Sequence, residues 1–559
     1  MEAFVLSYFV HLLRLPFTRY PPHQIVKPSF TSRGRRSFVY VPWYFSHNMS
    51  PHAVPVMDSS DTNSYDGPTW TRADEIETAA PANGVRKQNW LQRFGDDEVH
   101  DLVCVGFGPA SLAIAVALHD TIEDGQPRLR TYSPKVRFLE KQQQFRWHAG
   151  MLLPGAKMQI SFIKDLATFR NPRSHFTFLN YLHENGRLVQ FANLGTFLPH
   201  RIEYEGYMGW AASHFDEVVD YSQSVQSVNI AEKNQQSGTI ESFLVHSLDQ
   251  MTGQTTTIKA KNVVIAAGGK PSIPKSLPAN HPRIIHSSQY ATTVHQLFPP
   301  GTQPRSVAVI GAGQSAAEVF NNIPSRFPAA KSYLCIRGGA LRPSDDSPFV
   351  NEIFDPERVD DVFSQKPELR REQLARDKGT NYAVVRLELL EHIYEMLYSY
   401  RVQYGNDETQ WPQRILNHRS ITGVSDSEID GRPSVQLHLQ NNSGDYSARK
   451  QSGVETLDVD LIVVASGYQR DSHEDMLQDL RHLMPEGDAP EKRWTVRRDY
   501  GVEFAAGAVS PDAGLWLQGC NEQTHGLADS LLSILANRSG EMVENLFGQK
   551  NGGKKGDAL

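Results

Sequence analysis

The chain has 559 residues, 39% of them hydrophobic and 21% charged, with a formal net charge of −7. That length favours several domains, and the composition is that of a soluble globular protein. The acidic balance excludes the basic footprint of a nucleic-acid binder, and no apolar run approaches the ~18 residues that span a bilayer.

Residues 1–97 read as a disordered or targeting extension. Residues 3–13 are apolar but short, and Glu2 precedes them without a basic stretch, which makes a poor signal peptide. Between Arg14 and Arg36 there are basic residues and no acid, as in a mitochondrial presequence. Pro16, Pro21, Pro22 and Pro28 break any amphipathic helix there, and translation starting at Met49 is the alternative. Residues 50–95 are rich in Ser, Asp, Pro and Thr and read as a solvated tail.

The folded part begins near Glu98. A strand is predicted over Asp101–Val105 and a helix from about Ser111 to Leu118. A second strand, Val136–Glu140, ends in an acid, with residues 121–135 as an insertion before it. Gly106 and Gly108 let the backbone turn tightly and approach a pyrophosphate, with Pro109 opening the helix on which the phosphates sit. Ser111 stands at the third glycine position and is small enough to keep helix and strand close. Glu140 can accept hydrogen bonds from an adenosine ribose. Strand-like runs at Asn262–Gly268 and Asp460–Gly467 end in small residues, as strands do where backbone passes close to a cofactor.

A second unit spans Ser306–Arg337. Its turn reads Gly311-Ala312-Gly313-Gln314-Ser315-Ala316, and its second strand, Ser332–Arg337, ends in a cation. Arg337 can pair with a 2′-phosphate, which favours NADPH over NADH. Gln314 and Ser315 can add phosphate or amide contacts. Two such loops suggest a protein that passes a hydride from a nicotinamide to a flavin. The cysteines, Cys104, Cys335 and Cys520, have no close spacing. That argues for a reducing compartment and against structural disulfides or a disulfide reductase.

Further on come a polar loop, Arg342–Pro348, a helix-rich segment to about Gln403, and a long helical element from Asp529 to about Phe547. The expected architecture is α/β, with two Rossmann-like dinucleotide-binding domains and a small helical substrate-binding segment. Residues 98–280 and 456–548 form a discontinuous FAD-binding domain and residues 281–396 an NADPH-binding domain. Residues 397–455 form the small helical, substrate-associated segment, and residues 549–559 a frayed tail.

The run Asp460-x3-Val464-Ala-Ser466-Gly-Tyr468-x4-His473 resembles the D-x3-(L/F)-A-T-G-Y-x4-(H/P) pattern of N-hydroxylating flavin monooxygenases, departing at Val464 and Ser466. The F-x-G-x-x-x-H fingerprint of Baeyer–Villiger enzymes is absent. Further matches are Gly106-Phe-Gly-Pro-Ala-Ser-Leu-Ala, Lys157-Met-Gln-Ile-Ser-Phe-Ile-Lys164-Asp-Leu, Arg342-Pro-Ser-Asp-Asp-Ser-Pro-Phe-Val-Asn351-Glu-Ile-Phe, Thr380-Asn381-Tyr and Asn521-Glu-Gln-Thr-His525-Gly-Leu-Ala-Asp-Ser-Leu-Leu-Ser533. Over about residues 98–548 the chain resembles the fungal L-ornithine N5-monooxygenases.

The resemblance implies FAD and NADPH as cofactors and L-ornithine and O2 as substrates. The product is N5-hydroxy-L-ornithine, formed through a flavin C4a-hydroperoxide as the first step of hydroxamate siderophore biosynthesis. It also implies a homotetramer and a cytoplasmic location, with mitochondrial targeting by the extension left open. The flavin carries the chemistry, so no side chain is assigned as catalytic and no metal is expected. Glu140 to His148, including Lys141, Trp147 and His148, match the flavin-contacting segment, as does Gln159. Met158 matches a residue beside the flavin ring, Val225 a backbone contact, and Ser530, Leu531 and Leu532 lie by the flavin. Lys164 matches the cation for the substrate carboxylate, Asn351 a contact to the α-amino end, and Ser533 lies by the substrate. Arg337 and Asn381 match NADPH contacts, with Gln314 and Ser315 in the same site.

Some of these roles have a physical basis in the residues themselves. A carboxylate in a partly buried site needs a cation of flexible reach, and Lys164 follows a stretch of low polarity. Asn351 follows Ser347-Pro348, an expected N-cap and N1 pair. The helix after His525-Gly526 can present its N-terminus to the flavin's N1–C2=O edge, and its leucines can equally be core. Trp147 and His148 read either as flavin contacts or as loop packing. A reacting amine must be neutral, so no carboxylate is expected close to it. L-Lysine N6-hydroxylation and a flavin-dependent NADPH oxidoreductase without oxygenation remain alternatives.

Overall fold

Leu102-Val-Cys-Val105 is apolar on both sides of a strand, a pattern that is stable only where both faces are covered. In the computed structural model, which describes residues 90–125, 132–447 and 450–548, strand β1 (His100–Val105) is buried throughout. The extension before residue 90 and the tail from 549 lie outside the described residues.

β1 sits in a seven-stranded sheet. Helix α1 (Pro109–Glu123) follows it, with ten consecutive buried residues from Ser111 to Asp120. The helix therefore runs beyond the predicted Leu118. Strand β2 (Val136–Leu139) pairs parallel with β1, as does the second half of β3 (Thr255–Ile265). The first half of β3 turns to antiparallel neighbours, Ile240–Asp249 and then Gln223–Lys233. Gly514–Leu517, from the far end of the chain, runs parallel on the other side of β3. This first domain is thus built from both ends of the chain.

The second sheet is five-stranded and parallel. β4 (Ser306–Ile310) leads into α2 (Gln314–Arg326) and β5 (Lys331–Cys335), and Gln413–Leu416 forms one edge. The slot on the other side of β4 is filled by β6 (Leu461–Val464). This corrects the expectation that residues from 456 onward belong to the first domain. All four residues of β6 are buried, and a central parallel position covers both faces of such a run. Asp460, just before it, accepts hydrogen bonds from the Arg305 backbone N–H and guanidinium, both at 2.6 Å. The first residue of the signature thus fastens β6 to the start of β4.

Residues 397–455 are not a helical segment. The helix Leu387–Tyr404 ends there, and three antiparallel strands follow, Arg419–Ile429, Arg432–Asn441 and Gly453–Val459. Val435, Leu437 and Leu439 alternate with polar residues and are buried. Asp430 and Gly431, both at positive φ, close the first hairpin. Asp-Gly beside an alternating run is a hairpin signature, and none of the candidate substrate residues lies on this sheet.

The last helix, α3 (Leu535–Phe547), is shorter than predicted. Residues 527–530 and 532–534 form two 3-10 turns separated by extended Leu531. Buried Asp529, in the first of these turns, accepts from the Asn521 N–H at 2.7 Å and from Arg538 at 2.8 Å. α3 packs on α1. Among the described residues no helix is long and apolar enough to cross a membrane, and Cys104, Cys335 and Cys520 are free thiols.

Candidate functional site

Each glycine turn is pressed from behind by the end of a neighbouring strand. At Gly106, φ is +88° and a Cβ would stand 2.7 Å from the Ala266 carbonyl oxygen. At Gly311, φ is +144° and a Cβ would run into the Ala465 carbonyl. The two small-residue strand ends seen in the sequence are these two backstops, one for each loop.

The fronts of both loops suit a phosphate. Gly108 and Gly313 are the N-caps of α1 and α2, with no side-chain cap and no acid in either first turn. Nothing lies within 4 Å of where a Cβ on Gly108 would be. The first N–H groups of each helix thus keep an anion site open. Pro109 occupies N1, and Ser111 is buried with its hydroxyl beside the Cys104 thiol. Glu140, at the end of β2, is 6% exposed. Its carboxylate accepts the Phe107 N–H at 2.7 Å and the Gln142 N–H at 2.9 Å, tying the turn to the following loop. Lys141 is exposed.

At the second loop, Ala312 and Ser315 are half-buried and Arg337 is exposed just beyond β5. Gln314 is engaged at both ends of its amide. It donates to Glu318 at 2.9 Å and accepts the Arg386 N–H at 2.9 Å. Ala383, at φ +57°, brings its Cα within 3.6 Å of the Cβ position of Gly313.

The residues matched to flavin and substrate come from several segments. His148 is left-handed, at φ +50°. Its ring lies 4.9 Å from Trp147 and 6.1 Å from Tyr468 of the signature run. His148 is exposed on one side, with protein crowding the ring on the other. That desolvation, then the Arg201 and Arg470 charges, lower its imidazole to about 4. Trp147 also packs 6.1 Å from Tyr204, so the loop-packing role is present. Met158 is buried and its N–H donates to the Pro199 carbonyl at 2.9 Å; Gln159 is exposed. Val225 is buried in the strand Gln223–Lys233, opposite Ser247.

Lys164 is half-buried, and its carbonyl accepts the hydroxyl of buried Tyr204 at 3.1 Å. Burial lowers the pKa of its ammonium, against the nearby Asp355 charge. Asp355 ends the turn that follows the Pro348–Asn351 helix, so the fold brings Lys164 and the Asn351 segment together. That helix has only four residues, with Pro348 at its start and no side-chain cap from Ser347. The exposed Asn351 amide donates to the Asp346 carbonyl at 2.9 Å.

Asn381 is the last residue of the helix Pro367–Asn381. The next side chain, Tyr382, donates its hydroxyl to Glu522. Glu522 also accepts the Ser530 hydroxyl at 2.8 Å and lies 3.6 Å from Lys378. The segment matched to NADPH and the turn matched to the flavin therefore meet on one carboxylate. Sequence reading missed Glu522, although it stands inside a quoted motif. Leu531 and Leu532 are half-buried, whereas Ser533 is 2% exposed and its hydroxyl finds no hydrogen-bond partner. A buried hydroxyl left unpaired is what a ligand contact site presents before the ligand arrives. Ser530 to Ser533 lie in the turns before α3 and not in the helix as expected.

A separate groove of about 1250 Å³ lies between the helix Leu387–Tyr404 and the edge strand Gln413–Leu416. None of the candidate residues lines it.

Two glycine loops, each following a strand with parallel neighbours on both sides, mark an α/β oxidoreductase of the dinucleotide-binding class. A family model for L-lysine 6-monooxygenase/L-ornithine 5-monooxygenase matches residues 98–470. The chain is 53% identical over 517 residues to an L-ornithine N(5)-monooxygenase of Cochliobolus heterostrophus, covering 89% of this chain and 96% of that one. Among solved structures, ornithine hydroxylase PvdA of Pseudomonas aeruginosa superposes with a TM-score of 0.69 at 32% identity, over 80% of this chain and 99% of that one. The ornithine N-hydroxylase KtzI of Kutzneria sp. 744, with reduced FAD, NADP+ and L-ornithine, gives a TM-score of 0.69 at 34% identity and the same coverage. The chain belongs to the L-lysine 6-monooxygenase/L-ornithine 5-monooxygenase family of flavin-dependent monooxygenases.

Proposed function

We propose that the chain hydroxylates the side-chain nitrogen of L-ornithine, consuming NADPH and O2 with FAD as cofactor. The product is N5-hydroxy-L-ornithine, the starting unit of a hydroxamate siderophore. The observation that carries the substrate assignment is Lys164, a cation held half-buried beside the Asn351–Asp355 turn. A free amino acid brings a carboxylate that such a cation pairs with.

Both cofactors fit residues that are present. Gly106, Gly108, Pro109 and Ser111 would hold the FAD pyrophosphate on α1, with Glu140 toward the ribose. Lys141, Trp147, His148, Met158, Gln159, Val225 and Ser530 to Leu532 would line the rest of it. Gly311, Ala312, Gly313, Gln314 and Ser315 would hold the NADPH phosphates and Arg337 the 2′-phosphate, with Asn381 a further NADPH contact. Bound FAD, reduced by NADPH, supplies the chemistry that activates O2.

The chain's own residues bind and orient the amino acid. Lys164 takes the carboxylate, Asn351 the α-amino end, and Ser533 offers its unpaired hydroxyl to the substrate. The attacking amine has to lose its proton. At pH 7.4 that costs about 4 kcal/mol for an amine of ordinary pKa near 10.4. A pocket of low polarity, with the cation at the far end, lowers that cost by disfavouring the charged amine. The family resemblance extends this reading to a homotetramer in the cytoplasm.

The test is product formation on L-ornithine and L-lysine side by side. Hydroxylamine from ornithine, with NADPH oxidation that rises when ornithine is added, is expected. Equal or greater product from lysine would move the substrate assignment, and NADPH oxidation without any hydroxylamine would leave only the reductase alternative.

A further inference from the structure

We propose that Glu318 is a positioning residue that locks the second nucleotide loop to the flavin-side segment through a hydrogen-bond circuit. The inference rests on the two-cofactor reading above. Arg201, at the start of the helix Arg201–Ser213, donates to the Met151 carbonyl at 2.7 Å. Its guanidinium also meets Glu318 of α2 in two parallel bonds, at 2.9 and 2.8 Å. Glu318 accepts the Gln314 amide N–H, and the Gln314 carbonyl oxygen accepts the Arg386 backbone N–H, both at 2.9 Å. The Arg386 guanidinium then returns to the Met158 carbonyl at 3.5 Å.

The circuit thus begins at Met151 and ends at Met158, two residues of one segment, and passes through the loop matched to NADPH. It also fixes the residues between Asn381 and Arg386, where Ala383 closes over Gly313. The Arg201 and Glu318 side chains are only 12% and 9% exposed, so the pair is sheltered from solvent and salt. Both ends of the Gln314 amide serve the circuit. Gln314 is therefore a strut between α2 and the Asn381–Arg386 segment, besides any contact it makes to a phosphate.

The chemistry requires a carboxylate at 318. Three N–H donors converge on its two oxygens, two from Arg201 and one from Gln314. A glutamine there keeps the shape but offers one acceptor, and its NH2 faces donors. Only the alignment of the nicotinamide side against the flavin side should suffer, because no member of the circuit lies on the first glycine loop.

The experiment uses the FAD-loaded full chain with Glu318→Gln. NADP+ affinity is read from the flavin spectrum, H2O2 is counted per NADPH oxidised, and hydrogen exchange is followed at residues 383–387. Expected are NADP+ binding weaker by about tenfold or more, a larger H2O2 fraction, and faster exchange of the Arg386 N–H, at unchanged FAD content. Should Glu318→Gln fold poorly, Gln314→Leu, which buries no unpaired charge, should speed exchange of the Arg386 N–H, the one readout that its assigned phosphate contact does not move. The double variant Arg201→Met, Glu318→Met restores apolar packing but leaves Gln314 without its acceptor. It should recover thermal stability and not NADP+ affinity. Wild-type affinity and exchange in Glu318→Gln, or recovery of both stability and affinity in the double variant, would overturn the proposal. The exchange readout needs no NADPH. A wild-type protein that binds no NADP+ would defeat the two-cofactor reading, while exchange at Arg386 still decides the circuit.

Discussion

The Ala266 carbonyl oxygen lies 2.7 Å from where a Cβ on Gly106 would be, and Ala465 stands in the same relation to Gly311. Each strand end thereby forces a glycine into the turn in front of it. The two loops can be disabled separately.

Gly106→Ala should therefore purify without flavin, since the new methyl group collides with backbone at a φ that L-residues rarely adopt. Gly311→Ala should purify yellow and oxidise NADPH with a KM raised at least about tenfold, a loss of about 1.4 kcal/mol. The ratio of flavin absorbance to protein absorbance, with NADPH saturation curves, checks both. Loss of flavin from Gly311→Ala would contradict the separate roles.

Lys164→Ala should raise the KM for ornithine by about 10- to 150-fold, the loss of one charge-assisted hydrogen bond worth about 1.5–3 kcal/mol. The rate of flavin reduction by NADPH should stay near wild type, because Lys164 is assigned to the amino acid alone. Steady-state hydroxylation and anaerobic reduction measured on one preparation make the comparison. A normal ornithine KM would remove Lys164 from the site.

Arg337 is exposed beyond β5, where a phosphate can reach it. Arg337→Ala should weaken NADPH while sparing NADH, so the ratio of their kcat/KM values falls by about 10-fold or more. Equal losses for the two nucleotides would show that the arginine does not read the 2′-phosphate.

His148 is exposed on one side, yet crowding by protein and the Arg201 and Arg470 charges lower its pKa to about 4, below the ordinary 6.5. As pH falls, the unfolded chain takes up this proton first. The contribution to stability is full above pH 6.5 and drains as pH falls toward 4. His148→Asn removes the titrating ring, and asparagine tolerates the left-handed backbone found there. The fall in thermal midpoint between pH 6.5 and 4 should be smaller in this variant than in wild type. An identical fall would mean that His148 is not held neutral by the fold.

Both glycine loops were legible in the sequence, together with their strands, their helices, the acid at Glu140 and the cation at Arg337. A turn between strand and helix is specified by residues within a few positions of it, through φ, helix capping and burial. The resemblance then placed Lys164, Asn351, Asn381 and Ser533. The hairpin at Asp430-Gly431 was also locally written in its second strand, whereas the strand leading into it, Arg419–Ile429, is mostly polar and buries no residue.

Other features were settled only by the tertiary structure. β6 joins the second sheet because a run buried on both faces takes the central slot beside β4, and sequence order carries no information about which slot is free. The last helix starts at Leu535 and not at Asp529, whose carboxylate is engaged by Asn521 and Arg538. Glu318 meets Arg201, 117 residues away, and Glu522 meets Tyr382, 140 residues away. Such pairings follow no period of 2 or 3.6. They arise where two folded surfaces bury opposite charges or unmet donors together, and the sequence alone supplies the partners without saying which of them will meet.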